Sequence, residues 1–239
     1  MTSSLVRALR SSEKDVVLAE PISIASTFTL LVATMLCGGQ FSFTNRVLEV
    51  CGSLQPTILS ASNNSYFQIF NELLAILKAT PITSFLLAPL RRLLANTQYF
   101  KFVRQRRISE LLGDNLRLAL SFYSYRPLSQ DGHRLLSRML GVPVSIIFGN
   151  TETCGICTHS VRWEKPILMG YIAKPFICNA LRRSEGNTLL IAGSNIAESS
   201  RMVSEDACKW FDSGISILIM KNYFIVHKMP RTYDSTMPA

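Results

Sequence analysis

Charge is scarce in this sequence. Asp, Glu, Lys and Arg make up 17% of its 239 residues, against roughly 25% in an ordinary soluble domain, so much of the surface is weakly charged or destined to be covered. Acidic residues are missing altogether between Glu72 and Glu110, a stretch that holds Arg91, Arg92, Lys101, Arg104, Arg106 and Arg107. A membrane-spanning run is also missing, since spanning takes roughly 20 predominantly apolar residues. The most apolar stretch, Ile22 to Cys37, runs for about 16 and is interrupted by Ser23, Ser26, Thr27, Thr29 and Thr34; it reads as a buried helix. Met1 to Arg10 lacks the basic, apolar and small-residue order of a secretory signal. Six cysteines in a chain of this length fit free thiols in a reducing, intracellular compartment better than a disulfide scaffold.

What is present is enough apolar material to fold. Hydrophobic residues are 48% of the chain, which excludes a disordered polymer and predicts one large or two small domains. The net charge of +9 favours anionic partners, whether nucleotides, lipid headgroups or nucleic acids.

Along the chain, Asp15 to Leu18 reads as a strand, Thr27 to Leu36 as an apolar helix stopped by Gly38 and Gly39, and Phe41 to Phe43 as a second strand. Such alternation marks a parallel α/β sheet. Phe67, Phe70, Leu73, Leu74 and Leu77 predict one apolar face of a helix that ends before Pro81. In the basic segment Leu86, Leu90, Leu93 and Leu94 share a face away from Arg91 and Arg92; such a helix suits a membrane surface, or an ordinary packed helix with snorkelling arginines. Leu116, Leu118 and Leu120 alternate with Arg117 and Ala119 as in a strand with one covered face. Ser129 to Leu140 then reads as a helix stopped by Gly141, and Val142 to Phe148 as a buried strand. From Trp163 onward the runs are short and β-rich: Ile167 to Ile172, Thr188 to Ile191, and Ile215 to Met220 with Tyr223 to Val226 as a hairpin turning at Lys221 and Asn222. A soft boundary therefore divides residues 1–162 from residues 163–239.

The strand ending at Phe148 is followed by Gly149-Asn150-Thr151-Glu152-Thr153, and this resembles the Y-G-x-T-E loop of the AMP-forming acyl-CoA synthetases. Arg107-Ile108, Leu112-Gly113 and Leu116-Arg117 resemble the lead-in of the long-chain fatty acid–CoA ligase branch, and Trp163 stands where that branch has its G-D-W. Further matches follow in family order: Gly170, Pro175, Cys178 and Asn179; then Leu189, Ile191, Gly193 and Asn195; then Trp210 to Gly214. Together they run from about Glu13 to Arg231.

The resemblance implies an α/β fold: the central part of the adenylate-forming large domain, a parallel sheet with flanking helices, followed by a small β-rich subdomain. It implies ATP, a fatty acid and CoA as ligands, joined through an acyl-adenylate. Carried over by position, Thr151 would donate to phosphate and Glu152 would hold Mg²⁺, a hard cation that prefers carboxylate oxygen. Phe148, Gly149, Asn150 and Tyr125 would line the nucleotide. It also implies a cytoplasmic protein, or one peripheral on an internal membrane such as the endoplasmic reticulum, touching it through Arg91 to Arg107.

The chain departs from the pattern in several places. Small residues would admit the flat adenine, whereas Ser121 to Arg126 brings two tyrosines and an arginine; Tyr125 stacking on the base is the lesser alternative. Ile215 falls where the family has its ribose-binding Asp, and His227-Lys228-Met229 where it has its D-R-K hinge. The glycine-rich phosphate loop would precede Asp15, Met1 to Lys14 holds no glycine, and the lysine-bearing C-terminal domain has no room before Ala239. The expectation is a ligase homologue impaired or inactive alone, with a second chain as one source of the missing parts. The alternative is a non-catalytic relative that binds an acyl group, a nucleotide or a protein.

Two further readings come from local patterns. Cys154-Gly155-Ile156-Cys157 with His159 nearby suggests a zinc or redox module, although a tetrahedral zinc site needs four ligands and no second C-x-x-C exists. Arg91 to Arg107 with Tyr99, Phe100 and Phe102 would suit single-stranded nucleic acid. The same run matches the synthetase lead-in, and no nucleic-acid partner is expected.

Overall fold

A computed structural model describes residues 2–21, 24–79, 109–123, 136–137, 140–159, 171–172, 174–197, 202–205, 208–220 and 223–228. Its first sheet opens with strand β1 (Val16–Ala19), followed by helix α2 (Ile24–Leu36), with helix α1 (Thr2–Leu9) ahead of both. Strand β2 (Gln40–Phe43), helix α3 (Val47–Leu54), strand β3 (Ile58–Ala61), helix α4 (Asn63–Ala79), strand β4 (Leu118–Tyr123) and strand β5 (Val144–Phe148) come next. The order across the sheet is β2-β1-β3-β4-β5, all parallel, a doubly wound arrangement. Two short strands, β6 (Thr158–His159) and β8 (Lys174–Pro175), extend it antiparallel beyond β5.

Strands β1, β3, β4 and β5 are buried on both faces, whereas edge strand β2 leaves Phe43 exposed. Leu18, Leu59, Ala61, Ala119 and Val144 pack with Val47 and Cys51 of α3, Tyr66 and Ile69 of α4, and Leu136 and Leu140. Val17, Ala19, Ile58, Leu118, Leu120 and Phe122 pack on the other face with Leu5 and Leu9 of α1 and Leu30 and Ala33 of α2. A single covered face for the Leu116 to Leu120 segment is therefore corrected: the strand begins at Leu118, and Ala119 is as buried as its leucine neighbours. A central parallel strand has helices on both sides, so alternation of Leu with Ala still means burial at every step.

The helix over Phe67 to Leu77 exists and Phe70 packs against the core as expected, but Phe67 does not. Phe67 is 60% exposed, whereas Tyr66 and Ile69 are buried. Tyr66 wins the inward position because its hydroxyl lies 3.1 Å from the carbonyl oxygen of Leu59 and 2.9 Å from that of Leu120, and bonds both strands. Leu73, Leu74 and Leu77 have no described side chains. Helix α2 begins three residues earlier than read, ends at Leu36 as read, and is followed by Gly38 at φ +75°. Of the helix read over Ser129 to Leu140, only 136, 137 and 140 fall among the described residues, and they are helical.

The second sheet is antiparallel: β7 (Tyr171–Ile172), β13 (Tyr223–Lys228), β12 (Cys208–Met220), β10 (Thr188–Gly193) and β9 (Asn179–Arg183) lie in that order, and β11 (Met202–Glu205) pairs with β12. The hairpin of β12 and β13 closes with Met220 opposite Tyr223, while Lys221 and Asn222 lie outside the described residues, as do Trp163 and the whole Arg91 to Arg107 segment. Ile146, Phe148 and Cys157 from the first sheet pack against Leu189, Ile191, Phe211, Ile215 and Ile217 from the second, so one apolar cluster joins the two.

Candidate functional site

Strand β5 delivers its carboxyl end beside that of β4, with Phe148 opposite Tyr123. Ligands of open α/β sheets gather at this edge, and the Thr-Glu loop emerges there. Phe148 itself is buried in the cluster between the sheets, so its ring serves packing and only its backbone faces the loop.

The loop is built to be tight. Asn150 caps a short 3-10 turn, Thr151–Thr153: its Oδ1 accepts from the Thr153 N–H at 3.2 Å, and the Thr153 Oγ1 accepts from the Asn150 N–H at 3.0 Å. Cys154 and Gly155, both at positive φ, then reverse the chain, and the Gly155 N–H donates to the Asn150 carbonyl at 2.7 Å. A Cβ on Gly149 would lie 2.4 Å from the backbone of Gly155 and Ile156, and one on Gly155 would lie 2.4 Å from the backbone nitrogen of Ser26. The two glycines thus let the loop fold on itself and press against the start of α2, where the Thr29 Oγ1 donates to the Cys154 carbonyl at 3.1 Å.

From the other side, the turn after β10 holds the loop. The buried Asn195 donates from Nδ2 to the carbonyls of Thr153 and Ile156, at 2.9 and 2.8 Å, and the Ala197 N–H donates to the Glu152 carbonyl at 2.8 Å. Asn179 donates from Nδ2 to the Asn195 Oδ1 at 2.5 Å. Both asparagines lie in segments that resemble the family's, and their sequence positions alone assign neither a role. Their meeting depends on β9 and β10 pairing in a register that sets Asn179 opposite Gly193.

In this frame Thr151 is exposed and Glu152 is half-buried. Among the described residues the buried Glu152 Oε2 has no hydrogen-bond partner, and neither have the Asn150 Nδ2 and the Thr158 Oγ1. An unpartnered buried carboxylate oxygen is costly, and a hard cation is a group that would satisfy it. Thr151, Glu152, Phe148, Gly149 and Asn150 thus lie on one loop, whereas Tyr125 lies outside the described residues.

Ile215, at the position where the resemblance implies a ribose-binding Asp, does not face solvent. Along β12, Phe211, Ser213, Ile215 and Ile217 are buried, and Asp212, Gly214 and Leu218 are exposed. Ile215 therefore points into the cluster between the sheets. Asp212 is turned away and accepts from the Thr188 Oγ1 at 3.0 Å and the Gly214 N–H at 2.9 Å.

The cysteine pair of the loop does not make a thiolate site. Burial pushes the Cys157 thiol up to about 12, helped by neighbouring Cys178, and Cys154 and Cys157 are free cysteines. Among the described residues no group of three His, Cys, Asp or Glu side chains is arranged to hold a metal. His159 packs its ring on Phe176 at 4.5 Å between centroids. At the opposite, amino edge of the sheet, Asp15 is buried and paired with Arg117.

Solved structures share this architecture. The N-terminal domain of FACL13 from Mycobacterium tuberculosis matches at a TM-score of 0.65 and 12% identity, over 95% of this chain and 54% of that one. The O-succinylbenzoate coenzyme A synthetase MenE from Bacillus subtilis, in complex with ATP and magnesium ion, matches at 0.64 and 15%, over 95% and 44%. VinN in complex with L-aspartate matches at 0.62 and 12%, over 95% and 53%. No family model and no curated protein matches the chain. The chain has the fold of adenylate-forming acyl-CoA synthetase structures, and it spans about half the length of the chains that it matches.

Proposed function

We propose that this chain is a homologue of the AMP-forming long-chain fatty acid–CoA ligases, one that keeps the Thr-Glu loop of the nucleotide site and lacks the ribose-binding carboxylate. The reaction of that class joins a fatty acid carboxylate to the α-phosphate of ATP, releasing pyrophosphate, and then passes the acyl group to the CoA thiol, releasing AMP. The observation that carries the reading is Glu152: its unpartnered Oε2 is held on a capped turn at the carboxyl edge of the sheet. Mg²⁺ bound there would screen phosphate charge, and the exposed hydroxyl of Thr151 would donate to a phosphate oxygen. The structure of MenE from Bacillus subtilis in complex with ATP and magnesium ion supports this assignment of ligands.

Ile215 makes the same chain a poor nucleotide binder, because the ribose hydroxyls find an apolar cluster where a carboxylate is needed. We place the α/β part in residues 1–162 and the β-rich end in 163–239, and the protein in the cytoplasm or on an internal membrane that it touches through Arg91 to Arg107. A second chain supplying further parts of the site belongs to this proposal, as does the specific fatty acid substrate. A non-catalytic relative that binds an acyl group, a nucleotide or a protein is the second reading, favoured by the buried Ile215. Calorimetry with ATP and Mg²⁺ tests the proposal: binding no tighter than millimolar, weakened further in Glu152→Gln, supports it. Micromolar binding indifferent to Glu152→Gln overturns it.

A further inference from the structure

Hydrogen bonds from the turn after β10 reach the Thr-Glu loop at the carbonyls of Glu152, Thr153 and Ile156, and a single side chain supplies two of them. That side chain, Asn195, is 5% exposed, and both of its amide protons are used on the loop. Its Oδ1 receives Asn179, which fixes which way the amide points: a flip would set the oxygen against two carbonyls and lose both bonds. Gly193 leaves room for the pair, since a Cβ there would lie 2.5 Å from the Asn179 Nδ2 and 2.8 Å from the Asn195 Oδ1. The two carbonyls held by Asn195 flank the Cys154-Gly155 reversal, so fixing them fixes the turn from which Glu152 projects. The Ala197 N–H adds a third point on Glu152 itself.

We infer that Asn195 is a positioning residue: oriented by Asn179, it holds the Thr151–Thr153 turn and so sets where the Glu152 carboxylate meets a divalent cation. The inference rests on the reading of Glu152 as a cation ligand given above. It ties the β-rich sheet to the phosphate end of the site, so any shift of the turn after β10 is transmitted to Glu152. Outer groups that orient a ligand commonly change metal affinity by about 10- to 100-fold when removed.

The test uses the full chain, with Mn²⁺ as the probe, bound and free ion being separated by electron paramagnetic resonance. Amide hydrogen exchange is followed across residues 151–157. Asn195→Asp keeps the shape and turns a donor into an acceptor facing two carbonyls. Asn179→Ala is the milder variant, freeing the amide to flip. Ile217→Val, in the same apolar cluster, controls for lost stability alone. Both asparagine variants should exchange faster across 151–157 and lose Mn²⁺ affinity by about 10-fold or more, as Glu152→Gln does, and Ile217→Val should do neither. Wild-type exchange and affinity in both asparagine variants overturn the inference. A looser loop with full Mn²⁺ affinity, where Glu152→Gln lowers it, also overturns it, because Asn195 is then structural only. If the wild type and Glu152→Gln hold Mn²⁺ equally, the reading of Glu152 fails by itself. Exchange then decides the hold of Asn195 on the loop, faster exchange supporting it and unchanged exchange overturning it.

Discussion

Arg117 grips both carboxylate oxygens of Asp15 across 102 residues of sequence, with Nε 2.8 Å from Oδ1 and Nη2 2.6 Å from Oδ2. The same guanidinium donates to the carbonyls of Leu9 and Arg10, at 3.1 and 3.3 Å. Thr57 and the Ser12 N–H complete the shell around Asp15. One ion pair thus ties α1, β1 and the entry to β4 together at the amino edge of the sheet. Replacing Arg117 by Leu leaves a buried carboxylate without its cation, and the expected loss is about 3 kcal/mol. Urea denaturation at neutral pH measures it.

The same pair sets an acid limit. Burial alone would raise the Asp15 carboxyl, but hydrogen bonds from Arg117, Thr57 and Ser12, together with the Arg117 charge, outweigh it and hold the group below the usual carboxylate range. A depressed carboxyl contributes stability above its unfolded value of about 3.9, and that contribution is lost as pH falls through the folded value. Denaturation midpoints of the wild type should therefore fall below about pH 4. Arg117→Leu should lose most of this dependence, and an unchanged slope would speak against the pair as its source.

Glycine is demanded at Gly155 and merely convenient at Gly141. Both have positive φ, but a Cβ at Gly155 would collide with the backbone of Ser26, whereas one at Gly141 meets nothing within 4 Å. Gly141→Ala should cost about 1 kcal/mol, the strain of the left-handed conformation. Gly155→Ala adds a clash with α2 that only a backbone shift relieves, and should cost at least about 3 kcal/mol. Equal melting temperatures for the two variants would show that the loop does not press on α2.

The position of Ile215 yields a prediction against simple repair. Asp at that site would put a carboxylate into the cluster of Phe148, Ile191 and Ile217. Ile215→Asp should lose about 3 kcal/mol or more of stability without gaining nucleotide affinity. A stable variant that binds ATP more tightly would mean that β12 presents this position to a ligand.

Much of the α/β frame could be read from the chain because β1, β4 and β5 are apolar runs and Gly38 stops α2. What escaped has physical causes. Helix α3 and strand β3 are short, and the Gly52 within α3 and the β-branched residues around it blur both periods. On α4 the inward place that Tyr66 takes from Phe67 escaped because its hydroxyl reads as polar until two strand carbonyls are found for it. The loop of Thr151 and Glu152 could be found from its glycines and residue order, whereas its clasp by Asn195 could not. That contact spans 42 residues and exists only once β9 and β10 pair.

Thioester formation by the purified chain tests the central claim, a Thr-Glu loop without a ribose-binding carboxylate, most directly. With ATP at micromolar concentration, Mg²⁺, CoA and palmitate supplied, the account predicts no acyl-CoA, since Ile215 offers the ribose hydroxyls an apolar cluster in place of a carboxylate and leaves the nucleotide unbound at that concentration. Sustained formation of palmitoyl-CoA that disappears in Glu152→Ala would contradict it.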